Sequence, residues 1–175
     1  SVALKGIPRD CAASVGGIVE VAIANYADVK AVTVTSGSTD SAAEITAIEF
    51  NSGSKWSTYH FRKGSSQMTE TLNVDQATGL NYWSTELVMT FARMEAAKRA
   101  EISALSLNEM VVVVRDANGI CHYLGYSEPV VASAGTAQTG QAKSDANNYS
   151  ITLQDDSAVM PYTVSAEVAA TIFTD

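Results

Sequence analysis

The side chains that can do acid–base, nucleophilic or metal chemistry are few and widely spaced in this sequence. Its only histidines are His60 and His122, and its only cysteines are Cys11 and Cys121. Cys121 and His122 are adjacent, and neighbouring side chains on a strand point to opposite faces, so the two are poorly placed to bind one metal ion. There is no CxxC spacing either, and the sequence therefore predicts no metal site.

The sequence also lacks patterns that are typical of enzyme active sites. It has no G-x-S-x-G nucleophile elbow, and its glycine-containing segment 135–140 lacks the Lys-Ser/Thr of a phosphate-binding loop. Carboxylates for glycoside hydrolysis would come from neighbouring strands, but a solvated strand face accounts for the candidates equally well. Those candidates are Glu44, Glu49, Glu70 and Glu86. We predict that the protein is not an enzyme, with no catalytic residues and no cofactor.

The composition indicates an acidic protein whose surface is low in charge. Asp and Glu number 19 against 11 Lys and Arg, which gives a net charge of −8. An acidic surface repels the phosphate backbone and disfavours ordinary nucleic-acid binding. Charged residues make up 17% of the chain, below the roughly 25% of a typical domain. Small neutral residues replace them, and such a surface is suited to being covered by neighbouring subunits.

Two further features bear on the location of the protein. The longest apolar run, 110–114, is far too short to span a bilayer, and residues 1–10 lack the apolar stretch of a secretory signal. We interpret both cysteines as free, half-buried thiols made in a reducing compartment, because a small secreted domain would carry more cysteines at tighter spacing. The sequence predicts no contact with membranes.

Alternation of apolar and polar residues dominates the chain and predicts half-buried strands. It is clearest at 83–91, where Leu87, Met89 and Phe91 share one face and Ser84 and Glu86 the other. The predicted strands are 19–23, 32–35, 44–50, 67–74, 83–91, 110–115, 120–124, 149–154 and 159–164.

A helix and a hairpin follow one another in the second half of the chain. Residues 93–105 are rich in Ala, Glu, Lys and Arg, lack Gly and Pro, and predict the one helix. Residues 116–119, Asp-Ala-Asn-Gly, have the composition of a hairpin turn. The four consecutive valines at 111–114 predict a central strand that is buried on both faces.

These elements predict a single domain, residues 1–175, of the mainly β class. We expect an antiparallel β-sandwich or open barrel with one flanking α-helix at about 93–105. Long connections and arms complete the chain, and Asp155 and Asp156 are predicted to lie in the turn between the last two strands. The predicted arms and loops are an N-terminal arm (1–17), a long loop (51–66), a small-residue loop (127–148) and a C-terminal tail (165–175).

Four stretches of the sequence resemble virion proteins encoded near the tail genes of tailed phages of Bacteroidetes-type hosts. The order of elements is similar to the tail-tube fold, which is shared with secretion-system tube proteins. The stretches that carry this resemblance are 5–11 with Gly16-Gly17, 91–102, 111–119 with Tyr123-Leu-Gly125, and 135–153.

The resemblance implies rings of subunits, commonly six, that stack into a tube through which DNA leaves the capsid. Two hairpins per subunit would close a shared barrel around the lumen, and the long loop and both arms would bridge rings. Partners would be other copies of the chain and other tail or neck proteins, with DNA passing through unbound. The protein would be assembled in the bacterial host cytoplasm and located in the virion tail.

From this resemblance we derive hypotheses about which residues face the lumen and which join successive rings. Acidic side chains facing the lumen would repel DNA phosphates, and apolar anchors would join successive rings. The candidates for the lumen are Glu44, Glu49, Glu70 and Asp75. The candidates for the inter-ring contact are Trp56, Tyr59, Phe61 and Phe173.

Three alternatives stay open on the sequence. The first is another virion component, namely a tail terminator, a neck connector or a capsid decoration protein. The second is a carbohydrate-binding β-sandwich that uses Trp56, Trp83 and nearby tyrosines. The third is a hydrolase whose site carries no recognisable motif.

Overall fold

The computed structural model describes residues 6, 16–36, 43–61, 64–92, 96–139, 141–143 and 147–174. These ranges contain eleven strands, two α-helices and a 3₁₀ turn. In chain order they are β1 (Ile18–Asn25), the 3₁₀ turn (Tyr26–Asp28), β2 (Val29–Thr35), β3 (Glu44–Phe50), β4 (Ser57–His60), β5 (Ser66–Asp75), β6 (Leu80–Ala92), α1 (Ala96–Leu107), β7 (Met110–Asp116), β8 (Cys121–Leu124), β9 (Val131–Gln138), β10 (Asn148–Ser157), β11 (Tyr162–Val164) and α2 (Ala166–Ile172).

The strands form two sheets, and neither sheet closes into a barrel within the described ranges. The seven-stranded sheet has the order β2-β3-β11-β8-β7-β1-β4, and the four-stranded sheet has the order β5-β6-β10-β9. The predicted mainly-β class is confirmed. The expectation of purely antiparallel pairing is wrong at one place, because β11 runs parallel to β3. β11 arrives from the other sheet rather than through a hairpin with β3, so no tight turn imposes the antiparallel direction.

Apolar side chains from both sheets fill the space between them. Because strand side chains alternate, every second residue of the central strands points into this core. Each large side chain that is fully buried there contributes about 1.5–3 kcal/mol relative to exposure. The main contributors are Val21 and Ile23 of β1, Val112 and Val114 of β7, Leu87 and Met89 of β6, and Ile151 and Leu153 of β10.

The valine run lies at the centre of the seven-stranded sheet, as predicted. β7 pairs with β1 on one side and with β8 on the other. Val112 and Val114 point into the core between the sheets, while Val111 and Val113 point into a second core on the opposite face. The seven-stranded sheet is therefore covered on both faces along β7.

The C-terminal segment packs on its own chain. The predicted tail at 165–175 contains α2, whose N-terminus is capped by the Ser165 hydroxyl, which accepts a hydrogen bond from the backbone N–H of Val168 at 3.4 Å. Ile172 and Phe173 are buried in the second core. Seven residues give too little periodicity to reveal a helix in the sequence, so the prediction of a single helix is wrong.

Two predicted loops contain strands. The loop at 51–66 includes β4, which pairs with the outer side of β1, and its last residue begins β5. The small-residue loop at 127–148 includes β9, which pairs with β10. Most of the predicted N-terminal arm, Cys11 and the predicted helix start at 93–95 lie outside the described residues.

The predicted hairpin at 110–124 is confirmed. The Asp116 carboxylate accepts hydrogen bonds from the backbone N–H groups of Asn118 and Ile120, at 2.9 and 3.0 Å. Gly119 adopts a φ of +84° in this turn, a conformation that glycine adopts without steric cost.

Candidate assembly surface

The four-stranded sheet has one side against the core and the other side at the molecular surface. The register places Thr85, Leu87 and Met89 inward, so the alternate residues of β6 point outward together with their partners on neighbouring strands. Small polar residues dominate this outer side. It consists of Gln67, Thr69, Thr71, Asn73 and Asp75 of β5, Leu80, Tyr82, Ser84, Glu86, Val88, Thr90 and Ala92 of β6, Asn148, Ser150, Thr152, Gln154 and Asp156 of β10, and Val131, Ala134, Thr136 and Gln138 of β9.

The charge of this outer side is exclusively negative. None of the residues of β5, β6, β9 and β10 is Lys or Arg. Glu86 and Asp156 are exposed on it, and the Gln154 amide donates to the Ser84 hydroxyl at 3.3 Å and to the Asp156 carboxylate at 3.2 Å. This surface repels polyanions, because it offers carboxylates and neutral hydroxyls without a cation to bind phosphate.

The structure does not bring the four predicted lumen residues together. Glu44 and Glu49 are exposed on β3, in the other sheet. Glu70 points inward, where burial raises its pKa and the nearby His122 partly offsets that rise. Asp75 alone lies on the outer side of the four-stranded sheet, at the end of β5.

Asp75 also has a local structural role. Its carboxylate accepts hydrogen bonds from the backbone N–H groups of Ala77 and Thr78, at 2.9 and 3.4 Å. The hydrogen bond from the Thr78 side chain and these backbone bonds lower the pKa of Asp75. It therefore caps the β5–β6 turn in its charged form, as Asp does in many turns.

A polar row crosses the inner side of the same sheet. Asp155, Thr85 and Glu70 face one another across β10, β6 and β5. Asp155 is only 4% exposed, and one of its oxygens accepts from the backbone N–H of Gly125 at 3.2 Å. Its other oxygen has no hydrogen-bond partner among the described residues, and burial raises its pKa. The prediction that Asp155 and Asp156 form a turn is wrong, because β10 continues to Ser157.

Both edge strands of the four-stranded sheet lack a second strand partner in the described part of the chain, and α1 packs beside β9. β5 and β9 are the first and last strands of the sheet, and each pairs on one side only. β9 has the sequence Val-Ala-Ser-Ala-Gly-Thr-Ala-Gln, with no charged residue and no proline, and nearly all of it is exposed. Lys, Pro and inward charges normally protect such edges against further pairing, and β9 has none of these.

Comparisons with known proteins add no identification. No family model, curated protein or solved structure matches this chain. Within the described residues, no helix has the length and apolar content required to cross a membrane. The resemblance to tail-tube proteins therefore stays a prediction.

The predicted inter-ring anchors Trp56 and Phe173 have partners within the chain. The Trp56 ring packs edge-on against Phe50, with centroids 5.1 Å apart. Phe173 is buried in the second core, and the Arg115 guanidinium lies 5.9 Å from its ring centroid. Their role between rings stays a prediction, but both already stabilise the subunit.

Tyr59 and Phe61 pack against the C-terminal end of β6, and Tyr59 also contacts α1. Both rings contact Phe91, at centroid distances of 5.9 and 5.3 Å. The Tyr59 hydroxyl donates to the Glu101 carboxylate at 2.9 Å, and partial burial together with this carboxylate raises the pKa of Tyr59. Tyr59, Phe61 and Trp56 all remain partly accessible, so these three predicted anchors keep some surface available to a neighbour.

The two histidines lie next to carboxylates at separate places. His60 Nδ1 is 3.5 Å from the Glu20 carboxylate, which also lies 3.3 Å from Arg115, and His122 Nε2 is 3.6 Å from Asp116. Across the described ranges, no group of three or more His, Cys, Asp and Glu side chains is arranged to hold a metal ion. Cys121 is buried, with a raised pKa caused mainly by that burial, so its thiol is unreactive at neutral pH.

Proposed function

We propose that this chain is a structural subunit of a phage tail tube, in which copies form rings and the rings stack around a lumen that conducts DNA. One observation carries the proposal: a four-stranded sheet without any Lys or Arg has two edge strands that pair on one side only and one face at the molecular surface. The role is structural, without catalysis or cofactor. It places the protein in the virion tail, after assembly in the host cytoplasm with other tail and neck proteins.

The strand directions favour a lateral contact between copies. The four strands alternate in direction from β5 to β9, so β5 of one copy runs antiparallel to β9 of a neighbour that has the same orientation. Their free N–H and C=O groups then continue the sheet across the boundary. This contact joins two different surfaces, and such contacts give rings when the rotation between copies closes.

The resemblance implies two hairpins per subunit in the shared barrel, and the four-stranded sheet has two. It consists of two hairpins, β5–β6 and β9–β10, placed side by side through β6 and β10. Six copies would bring about 24 strands into one barrel. With strands ~4.8 Å apart and tilted by about 40°, that barrel measures roughly 50 Å between backbones.

The proposal orients the uncovered face toward the lumen. The opposite face of the sheet is occupied by the core and the seven-stranded sheet, which would form the outside of the ring. The lumen would then carry Glu86, Asp156 and Asp75 among Thr, Ser, Asn and Gln. DNA phosphates would meet repulsion rather than specific contacts and would slide past.

Analytical ultracentrifugation and electron microscopy of the purified chain over a range of concentrations test this proposal. We expect concentration-dependent rings that stack into tubes whose inner barrel measures roughly 50 Å between backbones. Single rings without stacks would favour the terminator or connector alternative. A monomer at millimolar concentration would contradict the proposal.

The proposed repulsion of DNA by an acidic lumen can be tested separately, with a matched control variant. Changing Glu86 and Asp156 to Lys places cations on the proposed lumen, whereas changing Glu44 and Glu49 to Lys makes the same charge change on β3. Assembled tubes of the first variant should retain short duplex DNA at about 50 mM salt and release it at about 200 mM, while wild-type and control tubes should not. DNA retention by the β3 variant alone would place the lumen on the other sheet.

The carbohydrate-binding alternative has less structural support. A sugar platform needs adjacent, exposed aromatic rings, but Trp56 packs against Phe50 and Trp83 shares the inward side of β6 with Thr85 and Leu87. The two tryptophans lie in different sheets or their connections, so they do not form one platform.

A further inference from the structure

The β5–β6 hairpin extends beyond the rest of the molecule and is apolar at its tip. β10 accompanies β6 only from Trp83 onward, so residues 80–82 have β5 as their only neighbour strand. Leu72 and Val74 on the inward side are 46% and 56% exposed, and Leu80 and Tyr82 on the outward side are 65% and 46% exposed. We call these four residues the hairpin tip.

Apolar side chains of the hairpin tip are exposed. Val159 and Met160 are also exposed and follow Ser157, whose strand partner is Trp83 at the base of the tip. Together these side chains expose on the order of 500 Å², distributed over both sides of the hairpin. The only charged side chain between 72 and 82 is Asp75, which is held in the turn. The tip is therefore suited to burial.

A groove of matching character lies at the opposite end of β6. It runs between β4 and α1, has a volume of about 330 Å³, and is lined by Thr58, Tyr59, His60, Phe91, Glu101, Ile102 and Leu105. Its base is apolar, with Phe91 and Ile102 partly accessible. The polar groups at its rim already have partners, since Tyr59 donates to Glu101 and His60 lies beside Glu20.

Tip and groove are separated along a single strand. Leu80 begins β6 and Phe91 lies next to its end, so the two sites are about 36 Å apart at 3.3 Å per residue. Because they lie at opposite ends of one strand, the hairpin tip and the groove cannot contact each other within one molecule. They meet when a second copy is shifted along the strand direction, which is a head-to-tail contact that repeats without limit.

We infer that the hairpin tip of one copy inserts into the groove between β4 and α1 of a second copy. This inference rests on the proposed function and supplies the contact between successive rings, whereas the β5 and β9 edges supply the contact within a ring. The occupant is a second copy because the apolar tip carries no cation, the groove offers apolar surface without an unpaired cation, and both belong to the same chain. The tip side chains, which are 46% to 65% exposed, would become buried against Phe91, Ile102 and Leu105 of the groove.

Disulfide trapping between two chains that each carry one accessible cysteine tests the contact directly. One chain carries Leu80→Cys and the other Thr58→Cys, both in a Cys11→Ser background, and Cys121 is buried. The mixture should give linked dimers at least 10-fold faster than either chain alone. Ile120→Cys mixed with Thr58→Cys is the matched control, because Ile120 is similarly exposed, at 49%, in the β7–β8 turn. Equal rates for the two mixtures would overturn the inference.

A second pair of variants separates this inference from the proposed function. Changing Leu80 and Tyr82 to Ser should leave rings intact but shorten stacks at least 10-fold in electron micrographs, and Ile120→Ser should leave stacks unchanged. Stacks of normal length from the tip variant would overturn the inference and leave the ring proposal standing. If the wild type forms no rings, the proposed function fails, and the trapping rates alone decide the tip contact.

Discussion

The two sheets of this protein differ in how completely they are covered. The seven-stranded sheet has apolar cores on both faces of β7, and the second core is completed by α2. The four-stranded sheet has a core on one face only, and its other face, both its edges and its hairpin tip lie at the surface. Both sheets end in edge strands that pair on one side only, but the first has apolar cores on both faces of β7, whereas the second leaves one face and an apolar hairpin tip at the surface.

Because of this difference, the residues that stabilise the subunit and the residues that join copies are expected to lie in different sheets. Substitutions in the seven-stranded sheet should change the free energy of unfolding of the subunit. Substitutions on the uncovered parts of the four-stranded sheet should leave unfolding unchanged and alter the association of copies.

The largest effect is expected at Gly125, in the body of the subunit. Gly125 has a φ of +94°, and a Cβ there would lie 3.1 Å from the Met110 carbonyl and 3.2 Å from the Val111 side chain. Gly125→Ala should therefore lower the free energy of unfolding by about 2–4 kcal/mol in urea titrations. Gly135→Ala on β9 is the control, since its Cβ meets Ser150 at an ordinary 3.5 Å. Equal losses of unfolding free energy in the two variants would mean that the structure around Gly125 accommodates a Cβ without strain.

The next effect concerns the edges of the two sheets. Ala137→Lys adds a charge to the uncovered edge strand β9, where Lys opposes strand pairing between copies. Ring formation should require at least about 10-fold more protein, equivalent to ~1.4 kcal/mol, while urea unfolding stays within about 0.5 kcal/mol. Thr33→Lys makes the same change on β2, the edge of the seven-stranded sheet. A larger assembly defect from Thr33→Lys would reverse the assignment of the two sheets.

A pH effect is expected from the buried Asp155. Burial raises its pKa above the ordinary 3.8, so the native state holds this proton more tightly than the unfolded chain does. The stability from this group is present at low pH and is lost as pH rises from about 3.8 through the raised pKa. Asp155→Asn should flatten this dependence in denaturation measured between pH 4 and 7. Asp156→Asn, on the exposed side, should leave the wild-type slope, and identical slopes for all three proteins would contradict this account.

The smallest effect is expected at Tyr59. Tyr59→Phe removes the hydroxyl that donates to Glu101 at 2.9 Å but retains the ring that packs on Phe91. We expect a loss of about 0.5–1 kcal/mol in stability and stacks of unchanged length. Shortened stacks with unchanged stability would assign the Tyr59 hydroxyl to the contact between rings instead.

Strong periodicity made most of the fold predictable from the sequence. The alternation at 83–91 and the valine run before an Asp-Ala-Asn-Gly turn identified β6, β7 and β8, because large apolar side chains mark the buried face. β9 escaped prediction, since Ala, Ser, Gly and Thr differ too little in size and polarity to mark a face. The parallel placement of β11 depends on contacts between distant segments, which local pattern does not encode.

The candidate surface was predictable only in part. The alternation of β6 already placed Glu86 opposite Leu87, which was the available signal for an outward carboxylate. Glu70 was assigned to the lumen because of its charge, although Met68, Leu72 and Val74 on the same side of β5 were the available signal that this side faces inward. Asp156 was missed because the Asp155-Asp156 pair resembles a turn, and only the pairing with β6 reveals a continuing strand.

An electron cryomicroscopy reconstruction of the assembled protein would show whether the uncovered face of the four-stranded sheet lines a lumen built by several copies. We expect β5 of each subunit to pair with β9 of the next, and Glu86 and Asp156 to point toward the axis. A reconstruction in which the seven-stranded sheet faces the axis, or in which β5 and β9 remain unpaired, would contradict this expectation.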